Sequence, residues 1–143
     1  MWTVGYQDRT VDDLIDTLAA AGVEVLVDVR LTPLSRKPGM SKNRLTARLA
    51  EAGIGYVHLP QLGNPRDNRD AFRRGESSAR ARYSAVLLSS EGRDALEHIS
   101  DLAGQHSVAL ICFERNASEC HRTMVTDALV ELNPSLHVSH LRS

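Results

Sequence analysis

Aromatic side chains are scarce in this sequence: one Trp, three Tyr and two Phe make up 4% of 143 residues. So thin a supply argues against the stacked rings on which single-stranded nucleic acid is commonly held. Cysteine is scarcer still. Cys112 and Cys120 are too few for the disulfide framework of a secreted scaffold, and reduced thiols are the default expectation. No apolar run approaches the roughly 18 residues needed to span a bilayer, and no basic leader precedes a short apolar segment with a small-residue cleavage site. The expectation is a cytoplasmic protein with no membrane partner. Charge of either sign is also not in excess. The formal net charge is −1, so a nucleic-acid partner would have to rest on a local basic patch. Internal repeats, low-complexity runs and an interdomain linker are absent, and the length suits a single domain.

What the chain does contain is an alternation of short apolar runs and amphipathic stretches. Residues 2–6 read as a first strand. Thr10, with Asp13 three residues on, makes a capping-box-like start to a helix whose face carries Val11, Leu14, Ile15 and Leu18, and Gly22 stops it. Residues 23–30 form a second strand, and its apolar positions become continuous as in a central parallel strand. Ser41 caps a helix bearing Leu45, Leu49 and Ala52, closed by Gly53, and residues 55–59 are a short third strand. The region 60–82 is irregular and rich in arginine. Helical faces return at Tyr83, Val86 and Leu87 and at Leu96, Ile99, Leu102 and Ala103. Residues 107–113 are a strand buried on both faces, and Met124, Val125, Ala128 and Leu129 mark a last helix ended by Asn133-Pro134. Residues 136–141 alternate like an edge strand, with His137 and His140 on opposite faces. This order predicts an α/β fold: a three-layer α/β/α sandwich with a mostly parallel sheet.

In such folds ligands bind beyond the carboxyl ends of the strands. The turn from the 107–113 strand into the last helix carries Glu114, Ser118, Glu119, Cys120, His121 and Arg122, and is the candidate site. A helix amino end favours a thiolate or a bound anion, so Cys120 beside His121 and Arg122 is a candidate nucleophile. A packing role for the same residues, with Ser118 as helix cap and Cys120 as a small buried group, stands beside that reading. Asp28 and Arg30, two apart at a strand's end, either pair with each other or face a ligand. His58 is either a partly buried structural histidine or a proton carrier. The loop 31–40 adds Arg36 and Lys37, which could clamp an anion. Arginines 66, 69, 73, 74, 80 and 82 form either a solvated face or a phosphate-contacting lid. Cys112, Cys120 and His121 supply at most three metal ligands at a spacing unlike zinc fingers or ribbons, so neither a metal nor another cofactor is expected.

The segment Leu-Ile-Cys-Phe-Glu, a short loop and Cys-His-Arg resemble the signature of the bacterial domain-of-unknown-function 488 family. Thr3-Val-Gly-Tyr6, Val27-Asp-Val-Arg30, Pro33, Ser35-Arg36, Pro38-Gly39, Tyr56-Val-His-Leu-Pro60 and Leu62-Gly63 are similar to that family as well. One departure is Tyr6 with Gln7-Asp8, where many members carry a Gly-His-Ser-like sequence. The resemblance implies a compact α/β domain with an assembled polar site.

Three functions are compatible with these residues. The first is a thiol-dependent transferase or hydrolase. In it Cys120 is the nucleophile, His121 or His58 moves protons, and Arg30, Arg36, Arg122 and Tyr6 hold a phosphate-bearing or other anionic small molecule or nucleotide. Arg122, fixed at a helix terminus, is expected to matter more for anion binding than the arginines of 66–82. The second makes Asp28 or Glu114 the general acid or base on a nucleotide or nucleic acid, with Cys120 structural. The third is a non-catalytic nucleotide- or nucleic-acid-binding module that uses the basic loops.

Overall fold

The computed structural model describes residues 1–141. Its strands are β1 (Trp2–Gly5), β2 (Val25–Asp28), β3 (Gly55–His58), β4 (Val108–Cys112) and β5 (Ser139–Leu141). They form one sheet in the order β3-β2-β4-β1-β5, every neighbouring pair parallel. The helices are α1 (Val11–Ala20), α2 (Lys42–Glu51), α3 (Arg69–Arg73), α4 (Ser77–Leu88), α5 (Ser90–Gln105) and α6 (Arg122–Leu132). The described residues thus form the expected α/β sandwich, with a sheet that is wholly rather than mostly parallel. Among them no helix is long and apolar enough to cross a membrane.

Local sequence explains the starts and stops. Thr10 Oγ1 accepts the Asp13 amide at 3.1 Å and so caps α1, while Gly22 takes a positive φ of 73° to release the chain into β2. Ser41 precedes α2 as expected but makes no cap bond; its hydroxyl instead joins the 31–41 loop to itself through Ser35. The irregular region is more helical than its sequence suggests. Short 3₁₀ turns at Pro60–Leu62 and Arg66–Asn68 lead into α3, which buries Phe72, and α4 already begins at Ser77.

Side-chain parity divides the core in two. Val108, Leu110 and Cys112 of β4 face α4, α5 and α6 together with Val27 and Val29, whereas Ala109 and Ile111 face α1 and α2 with Val4 and Leu26. The chain leaves β2 towards α2 on one face and leaves the adjacent β4 towards α6 on the other. Loops diverging from neighbouring strands open a crevice at their carboxyl ends.

Candidate functional site

The chain leaving β4 turns through a 3₁₀ segment at Ala117–Glu119 and enters α6 at Arg122. Cys120 lies just outside the helix in an extended conformation, φ −120° and ψ 145°, and its Sγ accepts the Arg122 amide at 3.5 Å, the place a capping serine would take. The Thr123 and Met124 amides turn back to the carbonyls of Cys120 and His121. The helix end is therefore largely closed on itself, and Cys120 rather than an open amide nest is what it holds.

His121 Nε2 lies 2.9 Å from the Val29 carbonyl, which can only accept, so this nitrogen carries a proton. The other nitrogen, Nδ1, lies 3.7 Å from both Cys120 Sγ and Cys112 Sγ. The Tyr83 ring packs edge-on against the imidazole at 5.1 Å between centroids and anchors its hydroxyl on the Leu62 carbonyl. Cys112 donates to Glu114 Oε2 at 3.6 Å, and the other oxygen of that carboxylate pairs with Arg73 at 3.0 Å.

These contacts separate the two thiols. At Cys120 burial opposes ionisation, but the Cys112 thiol, His121 and Arg122 outweigh it and hold the group well below the ordinary thiol range. Cys112 moves the other way, pushed well up by its hydrogen bond with Cys120, by burial and by the Cys120 and Glu114 charges. Burial disfavours the His121 imidazolium, yet the Cys120 thiolate and the Val29 carbonyl more than compensate and the ring is raised.

A cleft of about 350 Å³ opens over this cluster. Its floor is Cys112, Cys120 and His121, and its walls carry five cationic side chains, Arg30, Arg36, Lys37, Arg69 and Arg73, against Glu114 and Glu119. Tyr6 and Phe113 complete one wall in an edge-to-face contact at 5.4 Å. Arg30 is held by two hydrogen bonds from Nε and one from Nη2 to Asp28, and by Nη1 bonds to the Tyr6 hydroxyl and the Met40 carbonyl. Burial works against its charge, but Asp28 prevails and raises it further. Burial and a hydrogen bond to Asp28 likewise push the Tyr56 phenol up.

Of the residues expected at the site, Cys120, His121, Glu114, Arg30, Arg36 and Tyr6 come together around one cleft. Three do not. Asp28 is fully buried and accepts from Arg30 and Tyr56, so the strand-end ion pair is what forms and the carboxylate does not reach the cleft. His58 Nε2 donates to the Arg30 carbonyl at 2.8 Å and braces the end of β2. Arg122, 1% exposed, binds the carbonyls of Glu114 and Arg115 at 2.6 and 3.2 Å and the Thr3 hydroxyl at 3.2 Å. Its guanidinium straps the loop after β4 to β1 and is absent from the cleft lining. Cys112, which can approach Cys120 from the strand end but is not among the residues expected at the site, is part of the floor; continuous burial of a strand hides which side chain faces a site. Of the arginine-rich region, Arg69 and Arg73 line the cleft, and Arg73 is also exposed to solvent. Spacing argued against a metal site, yet Cys112 Sγ, Cys120 Sγ and His121 Nδ1 lie within 4.8 Å of one another.

The family model described as Domain of unknown function DUF488 matches residues 10–129. The chain belongs to this family. The DUF488 match includes the whole cluster from Cys112 to Arg122 and the Asp28–Arg30 pair, and leaves β1, Tyr6 and β5 outside it. No curated protein matches the chain. No solved structure matches it either.

Proposed function

We propose that the cleft is the active site of a thiol-dependent transferase or hydrolase acting on a small phosphate-bearing or other anionic substrate. The observation that carries this reading is a paired cysteine and histidine at the floor of a cleft walled by five cationic side chains. In a first step Cys120 Sγ attacks the electrophilic phosphorus or acyl carbon, and an S–P or S–C bond forms. The bond to the leaving group breaks, and that group departs with the electron pair and takes a proton from His121. In the second step an acceptor, water in a hydrolase, gives its proton to His121 and takes the group from sulfur, which restores the thiolate. Arg36, Lys37, Arg69 and Arg73 neutralise the substrate, and Arg30, locked by Asp28, fixes one wall.

The small volume and the sulfur floor favour this reading over nucleic-acid processing by carboxylates, since Asp28 is enclosed and only Glu114 of the pair reaches the cleft. The test is a panel of phosphate monoesters, acyl phosphates and anionic thioesters, with rapid quenching and mass analysis of the intact chain. A mass increase on Cys120, absent in Cys120→Ser together with turnover, is the expected outcome. Turnover that survives Cys120→Ser, or salt-sensitive oligonucleotide binding with no reactive thiol, would move the assignment to the nucleic-acid reading.

A further inference from the structure

We propose that Cys112, Cys120 and His121 form a binding site for a single thiophilic divalent cation of the Zn²⁺ class, coordinated by two thiolates and one imidazole at the floor of the cleft. This goes beyond the transfer reading and does not rest on it. It describes a second state of the same side chains, in which the metal occupies both sulfurs and withdraws Cys120 from attack.

The distances carry the argument. Around a tetrahedral ion with bonds of about 2.3 Å to sulfur and about 2.0–2.1 Å to nitrogen, neighbouring donor atoms are separated by roughly 3.6–3.8 Å. His121 Nδ1 lies 3.7 Å from each sulfur, and the three donors fall within 4.8 Å of one another.

The surroundings fit the same purpose. The Val29 carbonyl fixes the His121 tautomer that turns Nδ1 towards the sulfurs, the kind of support that histidine ligands receive from their other nitrogen. The Arg122 backbone amide is directed at the Cys120 sulfur. On binding, both sulfurs are coordinated as thiolates and His121 through a deprotonated Nδ1, so the Cys112 thiol proton and the proton shared by Cys120 and His121 Nδ1 pass to solvent. Two thiolates and a divalent ion sum to zero charge, which suits a cluster this deeply buried. Two sulfurs and an imidazole select Zn²⁺ over Mg²⁺ or Ca²⁺, and three protein donors leave a place for water.

The test uses the full chain, stripped of metal and kept reduced. Zn²⁺ is titrated in competition with a chromophoric chelator, and Co²⁺ is added separately as a spectroscopic probe. One equivalent of tightly held Zn²⁺ is expected, with an intense thiolate-to-cobalt band and the visible bands of a tetrahedral ion. Added Zn²⁺ should protect Cys120 from alkylation. Cys112→Ser and His121→Asn should each lose more than the roughly 10- to 100-fold that removal of a ligand's hydrogen-bond partner costs, with folding checked by circular dichroism. Absence of the thiolate-to-cobalt band in the unmodified chain overturns the inference whatever the variants do. Tight metal binding together with a slow-reacting Cys120 in the metal-free protein overturns the transfer reading instead and leaves the metal site standing.

Discussion

His121 Nδ1 stands 3.7 Å from Cys120 Sγ while its Nε2 donates to the Val29 carbonyl at 2.9 Å. The ring is thereby held between a strand end and a thiol, and cannot turn away from the sulfur without giving up a buried hydrogen bond.

Alkylation of the metal-free chain should show this in its pH dependence. A thiol whose pKa is lowered in the folded state is ionised at pH values where a free thiol is not, so the Cys120 rate should level off below the free-thiol value of about 8.5 and fall only at more acidic pH. Cys112, shifted the opposite way, should stay slow through that range. His121→Asn removes the neighbouring positive charge and should move the Cys120 profile upward. Faster modification of Cys112, or a free-thiol profile at Cys120, would remove the physical basis for a nucleophile.

Arg73 and Arg122 should separate affinity from stability. Arg73 lines the cleft and also pairs with Glu114, so Arg73→Ala removes a cation and bares a carboxylate. Phosphate affinity should fall about tenfold or more, the size of a lost charge-assisted contact. Arg122→Lys should leave the phosphate titration nearly unchanged but lower the denaturation midpoint, because lysine cannot span two carbonyls and a hydroxyl as the guanidinium fork does. Equal losses of affinity in the two variants would contradict this division.

The Asp28–Arg30 pair supports a third measurement. Asp28→Asn leaves a guanidinium in a buried place without its counter-charge and should cost about 3–5 kcal/mol in chemical denaturation. Adding Arg30→Met should recover much of that loss, since no unpaired charge then remains. A double variant as unstable as the two single losses added together would show that the pair is not the unit of stability.

Much of the architecture was legible because it depends on local pattern. The Thr10 cap, the glycine after α1 and the continuous apolar strand at β4 all declare themselves within a few residues. The gathering of Arg30, Glu114 and Cys120 at one edge followed from a parallel sheet. The fate of Arg122 was not legible, because its partners are the Thr3 hydroxyl and two carbonyls that fold back onto the helix start. Nor was the role of Gly5. A Cβ there would stand 1.8 Å from the Glu114 carbonyl oxygen, so β1 and the loop after β4 meet only because that side chain is missing. Arg69 and Arg73, four apart on the short helix α3, share one face and both line the cleft, while Phe72 between them is buried. A run of arginines with one aromatic does not announce such an orientation.

The burial of β4 sets a timescale for the site. All five of its residues are buried and it is paired on both sides, by β2 and β1. Its amides should exchange with deuterium only when the whole domain opens. The loop that carries Arg36 and Lys37 and the short helix that carries Arg69 and Arg73 border solvent and should exchange through far smaller openings. Cys112 thus belongs to a slowly opening part of the molecule, and Arg36, Lys37, Arg69 and Arg73 to a more readily opened one. The cleft's outer wall should therefore open and close without disturbing the sulfur atoms beneath it.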